Sequence, residues 1–184
     1  MRVALSGTPG TGKTSVATAL EKQGYSIVHI HALAKEKHCI TGMDTKRHSA
    51  LIDIDKLNTV IQKNYQTDSL VFFEGHVSHL LTTMDKVVIL RCHPTQLQKR
   101  LLKKKWGKQK IKENVDAEIL DVILCEAAEL HPARNIFEID TTGKTIEEVT
   151  EVIKNIVENN FRPATPYTLG QIDWSEEILK DNHP

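Results

Sequence analysis

Gly7-Thr8-Pro9-Gly10-Thr11-Gly12-Lys13-Thr14 fits the pattern Gly-x-x-x-x-Gly-Lys-Thr at every defined position. Glycines let successive backbone N–H groups turn inward on a phosphate chain, and a helix opening directly afterwards adds partial positive charge there. A lysine placed like Lys13 reaches β- and γ-phosphates, and a hydroxyl placed like that of Thr14 can join a Mg²⁺ shell. The motif has meaning only between a strand and a helix. Both are expected: Arg2-Val3-Ala4-Leu5-Ser6 reads as a short buried strand, and the segment from Ser15 to Leu20 as an opening helix. The plain alternative is a glycine-rich turn in an ordinary strand-to-helix connection. The complete motif in this context favours a nucleoside-triphosphate site.

Glu74 is the second chemical landmark. It ends the apolar run Ser69-Leu70-Val71-Phe72-Phe73-Glu74, and the carboxyl ends of buried strands are where α/β sheets bind ligands. A carboxylate there can order the water shell of Mg²⁺ or orient a water molecule; a strand-terminal surface acid is the bland alternative. His76, two residues on, is either a proton carrier beside Glu74 or an ordinary loop histidine. His79 and the pair His29 and His31 resemble metal spacing without the further ligands a zinc site needs.

Charge is least even between Gln98 and Glu113, where Lys99, Arg100, Lys103, Lys104, Lys105, Lys108, Lys110 and Lys112 stand with no acid among them. Arg100 and Lys104, four residues apart, share one helix face and can address one ligand. A basic flap broken at Gly107 could close over a triphosphate, whereas the outer lysines read as a solvated face. A second candidate flap is the polar segment from Thr41 to Ser49, preceded by Lys35. In a phosphotransferase it would hold the acceptor; on its own it is a loop.

The elements that must position these groups alternate. Strands are expected at Tyr25–Ile30, Ser69–Glu74, Lys86–Arg91 and Asn135–Asp140 besides the first. Helices are expected at Ala32–Lys37, at Asp53–Tyr65, from Pro94 toward Trp106, and from about Lys112 to Leu130. A last helix opens at Thr145 with the capping-box pair Thr145 and Glu148. Alternation of this kind implies an α/β fold whose parallel sheet is flanked by helices. Residues from Arg162 onward, with Pro163, Pro166 and Gly170, read as a tail.

Lys and Arg total 24 and Asp and Glu total 24, so no net field draws the chain to nucleic acid or a membrane. Cys39, Cys92 and Cys125 are scattered, which fits a reduced compartment. With a strand at the amino terminus and no apolar run of membrane-spanning length, a cytoplasmic protein is expected.

Taken in order, these features resemble the adenylate kinase isoenzyme 6 family, also known for the coilin-interacting nuclear ATPase, and its archaeal members most. The resemblance rests on the glycine loop, Glu74-Gly75-His76, Leu90-Arg91, and Arg100-Leu101 leading to Asn114-Val115-Asp116-Ala117-Glu118-Ile119, and spans the chain to about Asn160. It implies a P-loop NTPase fold of the nucleoside-monophosphate-kinase type with a five-stranded parallel sheet. Residues 1–160 would form one kinase domain, with about 30–53 binding the monophosphate, about 103–113 as lid, and 161–184 as tail. By the same resemblance Gly10, Gly12, Lys13, Thr14 and Ser15 bind the triphosphate, Arg100 packs near the adenine, and Lys104 contacts phosphate. Lys13, Glu74, His76 and Lys104 would be catalytic, and Thr14 with Glu74 (through water) would hold the metal. Lys35, Thr41 and Asp44 would meet the acceptor.

The implied reaction transfers the ATP γ-phosphoryl to AMP or another monophosphate, with Mg²⁺. ATPase activity and a role in small-ribosomal-subunit maturation, through a platform ribosomal protein and the pre-ribosome, are also implied. Alternatives are an ATP-hydrolysing ribosome-assembly factor with little physiological kinase role, and a small-metabolite kinase of the shikimate type. The chain departs from the family in three ways. Lys35 and Lys104 replace arginines, and Glu74 with His76 replaces an Asp-x-His element. Lysine keeps the charge and loses the two-pronged grip on phosphate.

Overall fold

Five apolar runs form one parallel sheet in the computed structural model, which describes residues 1–44, 49–66, 69–162 and 165–180. The strands are β1 (Arg2–Gly7), β2 (Ser26–His29), β5 (Val71–Glu74), β6 (Lys86–Arg91) and β7 (Ile136–Asp140), in spatial order β2-β5-β1-β6-β7. Each neighbouring pair is parallel.

The runs are continuously apolar because both faces are covered. Ala4, Phe73, Val87 and Ile89 point to one side. There they meet Leu33 of α2 (Ile30–Glu36), Leu57 and Ile61 of α3 (Ile54–Asn64), and Ala127 of α6 (Val122–Leu130). Val3, Leu5, Phe72, Val88 and Leu90 point to the other. They pack on Leu20 of α1 (Lys13–Lys22) and Ile153 of α7 (Ile146–Glu158). Fully burying side chains such as Phe72 and Phe73 contributes about 1.5–3 kcal/mol each. Asp53 caps α3 by accepting from the Lys56 amide at 2.9 Å, and the capping box at Thr145 and Glu148 is formed as expected.

Four expectations are corrected. β2 stops at His29, and Ile30 already opens α2. The segment from His38 to Ser49 is not wholly irregular: β3 (Ile40–Asp44) pairs antiparallel with β4 (Ser49–Ile52). Among the described residues of this small hairpin only Ile40 and Ile52 pack against the core while Met43 and Leu51 are exposed, so its sequence carries no clear alternating apolar pattern. Thr45 to His48, part of the proposed flap, lie outside the described residues.

The single helix expected from Lys112 to Leu130 is two, α5 (Lys108–Ile119) and α6. Asp121 between them adopts the left-handed conformation, with φ 53°, and its carboxylate accepts from Arg91 Nη2. The basic break is also shorter than a flap. α4 (Pro94–Lys103) and α5 are joined by Lys104 to Gly107 alone, and Leu97, Leu101, Ile111 and Cys92 form a small core of their own under Trp106 and Val115.

The carboxyl-terminal segment lies against the sheet edge. Thr168 bridges Phe137, the Gly170 amide donates to Glu138, and Trp174 meets the His93 ring edge-on at 5.0 Å. A short α8 (Glu176–Lys180) follows. Among the described residues no helix is long and apolar enough to cross a membrane.

Candidate active site

The carboxyl ends of β1, β2 and β5 open into one cavity of about 920 Å³, where doubly wound sheets bind ligands. The β1–α1 loop forms its floor. At Gly7 a Cβ would stand 2.3 Å from the Leu90 carbonyl oxygen, and Gly12 caps α1 at φ +108°; only glycine fits either place. Among the described residues, the amides of Gly10, Gly12, Lys13, Thr14 and Ser15 donate to no protein acceptor. They are the open donors of a helix amino terminus and its loop, and an anion is their natural partner.

Lys13 is buried, and its ammonium donates to the Gly7 carbonyl at 2.6 Å and the Thr8 carbonyl at 3.1 Å. Burial lowers its pKa from 10.5 to about 8, against the opposing pull of Glu74 and Glu118. The Thr14 hydroxyl donates to Glu74 Oε1 at 3.0 Å. The other Glu74 oxygen is 2.8 Å from His29 Nδ1, because β2 and β5 pair His29 opposite Glu74. His29 was legible only as half of a weak metal-spacing pattern. The better signal is that it, like Glu74, ends a strand on the ligand-binding edge. His76 lines the cavity; its pKa is lowered, first by the surrounding protein and then by Lys13, so the ring is neutral near pH 7. His79 is structural: it is buried between Ser6 at 2.9 Å and Glu126 at 2.8 Å.

Arg100 enters the cavity already engaged. Nη1 donates to the Thr11 carbonyl at 3.3 Å and the Thr141 hydroxyl at 3.1 Å, and Nη2 to the Thr141 carbonyl at 2.8 Å. It fastens the phosphate loop to the β7–α7 connection, leaving its flat face rather than its donors for a ligand. Lys104 ends α4 with its ammonium 5.6 Å from the Trp106 ring centroid, and Lys110 approaches the same ring at 4.4 Å. Trp106 thereby holds two cations at the cavity by cation–π attraction.

Gly10, Gly12, Lys13, Thr14, Ser15, Glu74, His76, Arg100 and Lys104 therefore share one cavity. Lys35, Thr41 and Asp44 are not in its wall. Lys35 is exposed on α2, Thr41 donates to the Leu51 carbonyl at 3.3 Å, and Asp44 pairs in register with Ser49. The wall at that end is made by His29, His31 and Ile52 instead. Thr41 and Asp44 lie on the β3–β4 hairpin, and Lys35 on the exposed face of α2.

A family model described as an AAA domain matches residues 3–121. A protein of Archaeoglobus fulgidus named "Putative adenylate kinase" is 40% identical over 178 residues, covering 97% of this chain and 94% of its own. The chain belongs to the adenylate-kinase-like family. Another member, of Pyrococcus abyssi and with the same name, is 40% identical over 177 residues, covering 96% of this chain and 92% of its own. Solved structures carry the same P-loop kinase fold. Shikimate kinase from Bacteroides thetaiotaomicron superposes with TM-score 0.54 at 19% identity, over 86% of this chain and 98% of its own. Deoxyadenosine kinase from M. mycoides gives 0.53 at 14%, over 87% and 100%. At such identities they speak to the fold alone. Within this adenylate-kinase-like frame Glu74→Gln keeps a partner for Thr14 and removes the charge, so turnover should fall about 10²-fold. Steady-state kinetics with unchanged ATP binding would check this.

Proposed function

We propose that this chain is a nucleoside-monophosphate kinase that transfers the γ-phosphoryl of ATP to AMP. The supporting observation is the continuity of the cavity. One chamber of about 920 Å³ runs from Arg100 and Thr141, past the phosphate loop, to His31 and Ile52. That volume is at the upper end for small-molecule sites, as a chamber for donor and acceptor together requires. The names of the archaeal relatives favour AMP as acceptor over a small metabolite.

Phosphoryl transfer is served chiefly by positioning and charge stabilisation. The open amides of the loop hold the β-phosphate, and Lys13 gives up its two carbonyl partners to reach the phosphates. Lys104 and Lys110 approach from the lid, and the flat face of Arg100 receives the adenine. The Thr14 hydroxyl and Glu74 are hard oxygen donors suited to Mg²⁺, directly and through water respectively. Held there, Mg²⁺ would supply positive charge to offset the charge that develops on the transferred phosphoryl group. Neutral His76 orients the acceptor oxygen.

Glu74, steadied by Thr14 and His29, is equally placed to orient water, which supports ATP hydrolysis as an accompanying activity. The finer assignment is the isoenzyme 6 type, acting in small-subunit maturation through a platform ribosomal protein. It rests on the glycine loop, Leu90-Arg91, and Arg100-Leu101 leading to Asn114–Ile119.

ATP consumption measured with each monophosphate in turn tests the proposal, with Lys13→Met as control. Stimulation by AMP is expected; consumption indifferent to every monophosphate would rule out the kinase. Lys104→Arg restores a planar fork at the lid, and it should raise kcat about tenfold. An unchanged kcat would show that the lysine does not limit turnover.

A further inference from the structure

Leu90-Arg91 and the stretch ending at Glu118-Ile119 stand out in the sequence, yet neither has a part in the chemistry above. The structure joins them. Arg91, 2% exposed, donates through Nε to Glu118 Oε1 at 2.8 Å and through Nη2 to the Glu118 carbonyl at 3.2 Å. The same Glu118 oxygen accepts from the Cys92 amide at 3.1 Å. The other, Oε2, accepts from the hydroxyl of Thr8, inside the phosphate loop. Glu118 and Thr8 are each 2% exposed.

A buried carboxylate with all its partners in place is rigid, and one with a partner missing is costly. Glu118 therefore fixes the first turn of the loop rather than decorating it. Thr8 gives its side chain to Glu118 and its carbonyl to Lys13 and to Thr11, so its orientation sets where the lysine rests. Glu118 also ends α5, whose earlier turns place Lys110 and Asn114 in the cavity wall. Residues 110, 114 and 118 follow one another at four-residue steps along one face. α5 thus joins the cavity wall at Lys110 and Asn114 to Thr8 through Glu118.

We propose that Glu118 is a positioning residue for the phosphate loop, linking α5 to the triphosphate site through Thr8 while Arg91 anchors it. The role rests on the triphosphate reading of the loop, but not on the identity of the acceptor.

Thr8→Val keeps the shape and removes the donor while leaving Arg91 and its three carboxylates in the chain; Thr8→Ser keeps the donor. Calorimetric titration with Mg·ATP alone, well below the unfolding temperature, should give a Kd raised about tenfold for Thr8→Val and near wild type for Thr8→Ser. Glu118→Gln should weaken binding too, and the double variant Thr8→Val with Glu118→Gln should be no worse than the weaker single one. Wild-type affinity in Thr8→Val would overturn the proposal, as would equal losses in the valine and serine variants or strictly additive losses in the double variant. Because no acceptor is present, a protein that binds ATP but phosphorylates no monophosphate still yields this comparison and refutes only the kinase. A wild-type chain that binds no triphosphate would refute both.

Discussion

Lys13→Met is expected to lower kcat/KM about 10³-fold, near the upper end for loss of one preorganised charged donor, while leaving a folded protein. The ammonium sits in a water-poor floor where each contact to developing phosphate charge counts for more than in solvent. Its lowered pKa carries two further consequences. The folded value, about 8, lies below the ordinary 10.5, so holding the charge at pH 7 costs the fold on the order of 3 kcal/mol. Methionine fills the space without a charge and should not destabilise the unliganded protein. Between about pH 8 and 10.5 the folded lysine has lost its proton while the unfolded one keeps it, so wild-type stability should rise across that window. Triphosphate favours the charged form, so Mg·ATP affinity should fall as pH rises through about 8, and binding near there should take up a proton. Calorimetry in buffers of different ionisation enthalpy reads that uptake.

The largest loss of stability is expected from Arg91→Met. One buried guanidinium serves Glu118, Asp121 and Glu138, three carboxylates from α5, the α5–α6 break and β7. Removing it strands buried negative charge and should cost about 3–5 kcal/mol, read as a lower urea midpoint with an unchanged slope. Burial already raises the pKa values of Asp121 and Glu138 despite the arginine. For groups raised on folding, the native state binds the extra protons, so their contribution improves as pH falls through the folded values. The penalty of Arg91→Met should therefore shrink on mild acidification. A penalty that grows would mean the three acids are not what the arginine serves.

How much of this was legible in the chain differs from element to element. The glycine loop and the strand ending in Glu74 were readable because each is local: a motif of eight residues, an apolar run with an acid at its end. The parallel sheet followed from strands apolar throughout. The β3–β4 hairpin was hidden because only Ile40 and Ile52 among its described residues pack on the core, and the α5–α6 break because it answers to Arg91, some 30 residues away in sequence. Separation in sequence also hid Glu118, whose partners lie 27 residues back in β6 and 110 residues back in the phosphate loop. His29 escaped because its importance comes from strand pairing. Arg100 was placed at the nucleotide but read as free to close, when four contacts to Gly10, Thr11 and Thr141 already occupy it.

The most direct test follows the transferred group itself. The protein is incubated with Mg²⁺, AMP and ATP labelled at the γ-phosphorus, and the labelled product is identified over the first turnovers. Label appearing in ADP, dependent on AMP and lost in Lys13→Met, is the predicted result. Label appearing only as inorganic phosphate, at a rate AMP does not change, would contradict the kinase and leave an ATP-hydrolysing loop in its place.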